Sequence, residues 1–149
     1  MIALHTASEG ISFAKALEVE SATFYENLAK RFPTSGEAFL AFAKENRKNV
    51  REVERTYYGV ITDAIEGGYC FDLEPNVYAI NVEMSVEASF EEALATARGV
   101  EEKIIAFYSD AAVQSKPLMG DVPRAFLTLA KKREKRLSIM NLMLTKKEV

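Results

Sequence analysis

The stretch "ALEVESATFYENLA" (residues 16–29) spaces Leu17, Ser21, Phe24, Tyr25 and Leu28 at the three- and four-residue intervals of one helix face, and it sets Glu18 on that face with them. The stretch "ATARGVEEKIIAFYSDAA" (95–112) repeats the arrangement, with Glu101 in the matching place. A carboxylate on the apolar side of a helix is costly unless a metal, a proton or a counter-charge accompanies it. Two such carboxylates in one chain therefore demand partners.

Around the first stretch the helical pattern extends in both directions, through Ile11 and Ala14 upstream. Thr6 and Glu9 have the spacing of a capping box and Pro33 is a stop, which predicts a helix over about 8–32. A second helix is expected over 35–66, from a Ser35 cap to the Gly67-Gly68 stop, with Phe39, Phe42, Ala43, Val50, Val53, Tyr57 and Ile61 inward. Ser89 and Glu92 open a third, over 89–115, with Phe90, Leu94, Ala97, Ile104, Ile105 and Tyr108 on its apolar side. Asp121 caps a fourth, over 121–145, with Pro123 in its first turn and Phe126, Leu129, Ala130, Leu137 and Met140 inward.

Short links make each consecutive pair an antiparallel hairpin, while the link between the second and third helices is too long for a neighbour turn and must run the length of the helices. Its apolar patch, Val77 to Val82, is expected to form a short strand or helical turn on the surface. The fold class is all-α, four helices in a single domain spanning 1–149.

The two hairpins read as copies. Ala14, Glu18, Phe24, Tyr25 and Ala29 map onto Ala97, Glu101, Phe107, Tyr108 and Ala112 at one offset of 83 residues. "FAKENRKN" (42–49) resembles "LAKKREKR" (129–136) at an offset of 87, the difference being taken up by the loops.

Composition narrows the function classes. The chain has 149 residues, 48% of them hydrophobic and 28% charged, in the range of a soluble globular domain. A net charge of −3 provides no bulk field for nucleic acid or an anionic membrane, so neither is an expected partner. No apolar run reaches the ~18 residues of a spanning helix, and "MIALHTASEG" lacks the pattern of a signal peptide. Cys70 has no second cysteine to pair with and no basic neighbour to activate it; it reads as a packing residue in a reducing, cytoplasmic setting.

With its A-x-x-x-E-x-x-x-x-x-F-Y-x-x-x-A helix, a following helix bearing [FL]-A and a pair at three-residue spacing, and the long central link, the chain resembles the rubrerythrin-type branch of the ferritin-like superfamily from about residue 8 to 145. The resemblance implies an antiparallel four-helix bundle with a long crossover between its second and third helices. In that family the first and third helices each give a Glu, the second and fourth an E-x-x-H, and two irons bind between them for peroxide, oxygen or iron chemistry. No C-x-x-C electron-transfer segment follows here.

Carried over by position, Glu18 and Glu101 match the lone glutamates, whereas Asn46 and Asn49 stand at the second helix's Glu and His, and Arg133 and Arg136 at the fourth helix's. Sliding the register by one offers Glu45 with Lys48, or Glu134 with Leu137, and recovers no histidine. His5 precedes the first helix and reads as a terminal residue. Guanidinium stays protonated and repels a cation. The site therefore reads as degenerate, with no metal or other cofactor: arginine replaces the iron charge against Glu18 and Glu101, and Asn46 and Asn49 complete the hydrogen bonding. The alternative is an all-carboxylate di-iron centre of Glu18, Glu101, Glu45 and Glu134 in an oxidoreductase acting on peroxide or oxygen, or handling iron.

Tyr25 and Tyr108 read as core aromatics whose hydroxyls reach a polar partner. "NRKNVRE" (46–52) and "KKREKR" (131–136) read as solvated faces interrupted by Glu45, Glu52, Glu54 and Glu134. The resemblance, together with the apolar "TYYGVI" (56–61), implies a homodimer. The functional expectation is a non-catalytic protein acting by self-association or partner binding.

Overall fold

The computed structural model describes residues 3–60, 69–115 and 122–147. These residues are mostly helical, with five helices and two short strands among them: β1 (Leu4–Thr6), α1 (Ala7–Arg31), a 3-10 turn (Pro33–Ser35), α2 (Gly36–Val60), β2 (Tyr69–Leu73), α3 (Pro75–Tyr78), α4 (Phe90–Ser115) and α5 (Val122–Lys147). None of these helices is long and apolar enough to cross a membrane.

Local chemistry accounts for the starts. Thr6 accepts from the Glu9 N–H while the Glu9 side chain accepts from the Thr6 N–H, a complete capping box that begins α1. At α4 the Glu92 N–H donates to Ser89 Oγ at 3.1 Å and the Ser89 N–H to Glu92 Oε1 at 3.4 Å. The turn between α1 and α2 starts at Pro33, and the Phe32 N–H closes α1 onto the Leu28 carbonyl. The Gly67-Gly68 stop, Ile61 and the Asp121 cap lie outside the described residues, as do the side chains of Tyr57 and Cys70.

Cross-helix contacts define the packing. Lys15 meets Glu54, and Glu26 meets Arg47, so α2 runs antiparallel to α1. Phe13 meets Phe107, Tyr25 meets Glu101 and Phe32 meets Phe90, so α4 runs antiparallel to α1 as well. Tyr108 against Phe126, and Glu101 against Arg133, set α5 antiparallel to α4. One cluster of buried apolar side chains runs between the four long helices. Of the expected inward residues, Val50, Phe90, Ile105 and Leu137 are only half-buried, while Val100 and Phe107, not among them, are fully enclosed.

The link between α2 and α4 departs from its sequence reading. Its strand is β2, earlier than the expected 77–82 patch, and it pairs antiparallel with β1, Leu4 opposite Leu73 and Thr6 opposite Tyr69. The patch itself divides: Tyr78 ends the one-turn helix α3 and is buried, Val77 is exposed, and Ile80, Val82 and Met84 pack partly against the core. The segment then follows α4 towards its start. Gln114 bonds both ways to the Asp72 backbone, Tyr78 donates to Asp110, Lys103 donates to the Val77 carbonyl, and Arg31 reaches the Ser85 carbonyl. A β1 of three residues is too short to show alternation, which hid this pairing in the sequence.

Where β2 crosses α1, the Phe71 ring lies on Gly10. A Cβ there would sit 2.5 Å from Cε2 and 2.8 Å from Cδ2 of Phe71. Gly99 on α4 faces nothing within 4 Å. Gly10→Ala is therefore expected to destabilise by about 1–2 kcal/mol, overpacking exceeding the helix-propensity gain. Gly99→Ala is expected to stabilise by about 0.5–1 kcal/mol. Urea unfolding of both variants tests the pair; equal effects would place Phe71 elsewhere.

Candidate functional site

Midway along the four long helices the apolar core gives way to polar side chains. Each helix turns one or two of them inward at the spacing of its own apolar face: Glu18 and Ser21 from α1, Asn46 and Asn49 from α2, Glu101 from α4, and Arg133 and Arg136 from α5. All are buried, Arg133 with a relative exposure of 0%.

Arg133 is the hub. Its Nη1 donates to both oxygens of Glu101 at 2.8 Å, and its Nη2 donates to Glu18 Oε1 at 2.6 Å. Nη2 also lies 3.2 Å from Ser21 Oγ and from Asn46 Oδ1. Asn46 Nδ2 donates to Ser21 Oγ at 2.9 Å, and Ser21 passes its own proton to the Leu17 carbonyl one turn back. Asn49 Nδ2 donates to Glu18 Oε1 at 3.2 Å. Among the described side chains Asn49 Oδ1 and Arg133 Nε are buried with no bonding partner, a cost the ion pairs must offset.

The tyrosines complete the carboxylates from the opposite helices. Tyr25 on α1 donates to Glu101 Oε2 on α4, and Tyr108 on α4 donates to Glu18 Oε2 on α1, both at 2.5 Å. Tyr25 stacks on Phe39 and Tyr108 on Phe126, with interplanar angles of 17° and 28°. The two halves of the site thus match in carboxylates, phenols and stacked rings. They differ where α2 carries asparagines and α5 carries arginines.

Arg136 links the hub to the surface. Its Nη1 lies 3.4 Å from Glu101 Oε2, its Nε and Nη2 donate to Glu45 at 3.1 and 2.8 Å, and its Nη2 reaches the Phe42 carbonyl at 3.1 Å. The guanidinium also lies over the Phe42 and Tyr25 rings, 5.2 and 5.6 Å from their centroids. Glu45, 37% exposed, is the network's outlet to solvent.

Burial by itself would lower the proton affinity of Arg133, but the Glu101 and Glu18 carboxylates outweigh it and hold the guanidinium well above its usual range. Burial, and next the Glu101 carboxylate, push the Tyr25 phenol well above its ordinary value of 10.0, with Arg136 opposing. Burial and the Glu18 carboxylate do the same to Tyr108. Both phenols are thus held as neutral donors at neutral pH.

The six residues that the sequence resemblance singled out, Glu18, Asn46, Asn49, Glu101, Arg133 and Arg136, meet in this one network. Of the two further carboxylates in the alternative set, Glu45 joins only at the rim, through Arg136, and Glu134 is exposed. Among the described residues no group of three or more His, Cys, Asp or Glu side chains could hold a metal ion. His5 stays in β1, its Nδ1 3.3 Å from the Phe71 carbonyl. The sequence reading missed Ser21 as a ligand of Arg133 and Glu45 as a partner of Arg136. Ser21 stood among apolar neighbours on the inward face of α1, and that was its only signal.

No protein-family model matches the chain, and neither a curated protein nor a solved structure shows significant similarity to it.

Two measurements probe the network. Arg133→Met, which strands two buried carboxylates, is expected to cost about 3–5 kcal/mol. Adding Glu18→Gln and Glu101→Gln should recover part of that loss in urea unfolding; a triple variant no more stable than the single one would mean the charges are not coupled.

The phenols predict an alkaline limit. Below about pH 10 they are protonated in folded and unfolded chains alike and add no pH dependence. Above it the unfolded chain releases these protons first, so stability falls as pH rises towards the folded values. Tyr108→Phe removes one such group, and its stability should fall less steeply than the wild type's between pH 10.5 and 11.5, by roughly 1 kcal/mol per pH unit. An unchanged slope would show the phenol ionising as freely in the folded chain as in the unfolded one.

Proposed function

We propose that the chain is a ferritin-like antiparallel four-helix bundle of rubrerythrin type whose metal position is taken by arginine, and that it acts non-catalytically, as a homodimer or by holding a protein partner. One observation carries this reading: Arg133, fully buried, bonds both Glu18 and Glu101 across the centre of the helices. Arg133, with Arg136 beside Glu101, sets two fixed positive charges against the two carboxylates, so no metal is needed to neutralise them.

The residues present do not fit an iron pair. Glu18 and Glu101 already accept from guanidinium and phenol groups, Asn46 and Asn49 offer only neutral amides, and a second guanidinium, Arg136, stands beside Glu101. Iron in this space would face two permanent positive charges, where a di-iron centre asks for several anionic oxygens and imidazole nitrogen. The single cysteine supports a reducing, cytoplasmic setting. The reading includes no membrane and no nucleic-acid partner.

The test is metal content per chain, on untagged protein expressed with added iron and inspected for the near-ultraviolet oxo-iron band, with light scattering on the same preparation. Metal well below one iron per chain and a dimer mass are the expected results. Close to two irons per chain would overturn the reading in favour of a di-iron oxidoreductase, and peroxide turnover would then be the assay. A monomer mass would remove self-association and leave partner binding.

A further inference from the structure

The acids that break up the basic run in the sequence do not break it up on the helix. Among the described side chains of α2 from 40 to 58, the exposed ones are Leu40, Ala41, Lys44, Arg47, Lys48, Arg51, Arg55 and Tyr58. They include five cations and no acid. At 100° per residue they occupy about a third of the helix circumference. Glu45, Glu52 and Glu54 lie to either side: Glu54 is turned to Lys15 of α1, Glu45 to Arg136 of α5, and Glu52 to Arg55. Arg47 is neutralised by Glu26 at 2.8 Å, and Arg55 is held more loosely by Glu52 at 3.4 Å, which leaves it the stripe's weakest cation for a partner. Lys44, Lys48 and Arg51 have no carboxylate within ion-pair distance among the described residues.

An open depression of about 660 Å³ runs beside these cations, lined also by Leu40, Ala41 and Ala43 and by two acids already paired with arginine, Glu26 and Glu45. Leu40 is 53% exposed. From Lys44 to Arg55 the positions 44, 48, 51 and 55 follow the i, i+4, i+7, i+11 spacing of one stripe, roughly 16 Å long at 1.5 Å per residue.

We propose that this face of α2 docks an acidic amphipathic helix of a partner protein, carboxylates laid along Lys44, Lys48, Arg51 and Arg55 and an apolar side chain set against Leu40 and Ala41. The inference rests on the partner-binding reading above and names the partner's chemistry. Three features select a helix over a larger polyanion. The stripe follows a single helix axis, so a second helix of about 10 Å diameter covers it. Glu45 and Glu52 on one side and Glu54 on the other would be pressed against the phosphates of a duplex or the plane of an anionic membrane. Beyond the stripe the chain is acidic, its net charge being −3, and like-charge juxtaposition penalises a broad anionic partner.

The probe is a fluorescein-labelled helical peptide of eighteen residues, with Glu at i, i+4, i+7 and i+11 and two leucines placed to meet Leu40 and Ala41. A Gln-for-Glu counterpart, a 20-base-pair DNA duplex and phosphatidylserine vesicles serve as comparisons. The full chain should bind the acidic peptide in fluorescence anisotropy, and the affinity should fall at least about tenfold between 50 and 500 mM salt. A fall of similar size is expected in the triple variant Lys44→Glu/Lys48→Glu/Arg51→Glu, whose surface changes leave the thermal midpoint near the wild type's. The Gln peptide should bind at least about tenfold more weakly. Binding that ignores the charge reversal, no binding of the acidic peptide at all, or tighter binding of the duplex or the vesicles would each overturn the proposal. Failure of peptide binding in a metal-free protein overturns only this surface, whereas two irons per chain overturns the non-catalytic reading whatever the peptide does.

Discussion

The structure depends on one guanidinium. Arg133 projects from α5 into a space where two carboxylates from two other helices already point, and its planar fork satisfies both at once. Two enclosed carboxylates need a counter-charge, and Arg133 could not be enclosed without them. The consequence is geometric as well as energetic. Apolar faces tolerate sliding by a fraction of a turn, because packing one methyl group against another has little direction. A fork that must reach Glu18, Glu101, Ser21 and Asn46 within hydrogen-bond distance has one axial position, so the four long helices share a single register.

That constraint organises the layers around it. The phenols of Tyr25 and Tyr108 cross between α1 and α4 to occupy the remaining carboxylate lone pairs, and their rings then have to lie flat against Phe39 and Phe126. Outside the aromatic layer the segment from Tyr69 to Ala88 acts as a strap, tied to α4 by Gln114, Asp110 and Lys103 and to α1 by Arg31. Polar centre, aromatic shell and strap are successive solutions to one problem, the enclosure of charge in a core otherwise made of aliphatic and aromatic side chains.

Much of the helical plan was legible because local chemistry wrote it. Thr6 with Glu9, Ser89 with Glu92, and the break at Pro33 act over three or four residues, and such signals survive in any tertiary setting. The inward residues of α1 were readable for the same reason. The rest depended on partners far away in the chain. Tyr25 and Glu101 are 76 residues apart and Tyr108 and Glu18 are 90 apart, so neither spacing nor composition pairs them. The β1–β2 ribbon joins segments too short for a period to show. The α2 run is exposed, as expected of a solvated face, but its acids stand beside the cations and not among them, because a linear run of mixed charge says nothing of angle: Glu45 and Lys44 are neighbours in sequence and lie 100° apart on the helix.

The mismatch between the two matched halves has a further implication. A pair of identical hairpins would bring either two uncompensated carboxylates among asparagines, or twice as many guanidinium groups as carboxylates. Neither centre could be enclosed in a dry core. Here balance is reached with different side chains in the facing halves, Asn46 and Asn49 across from Arg133 and Arg136, and one chain that encodes both halves supplies them together. A single chain keeps the unlike halves at a one-to-one ratio, and two copies of either half in place of the pair would leave the centre charged.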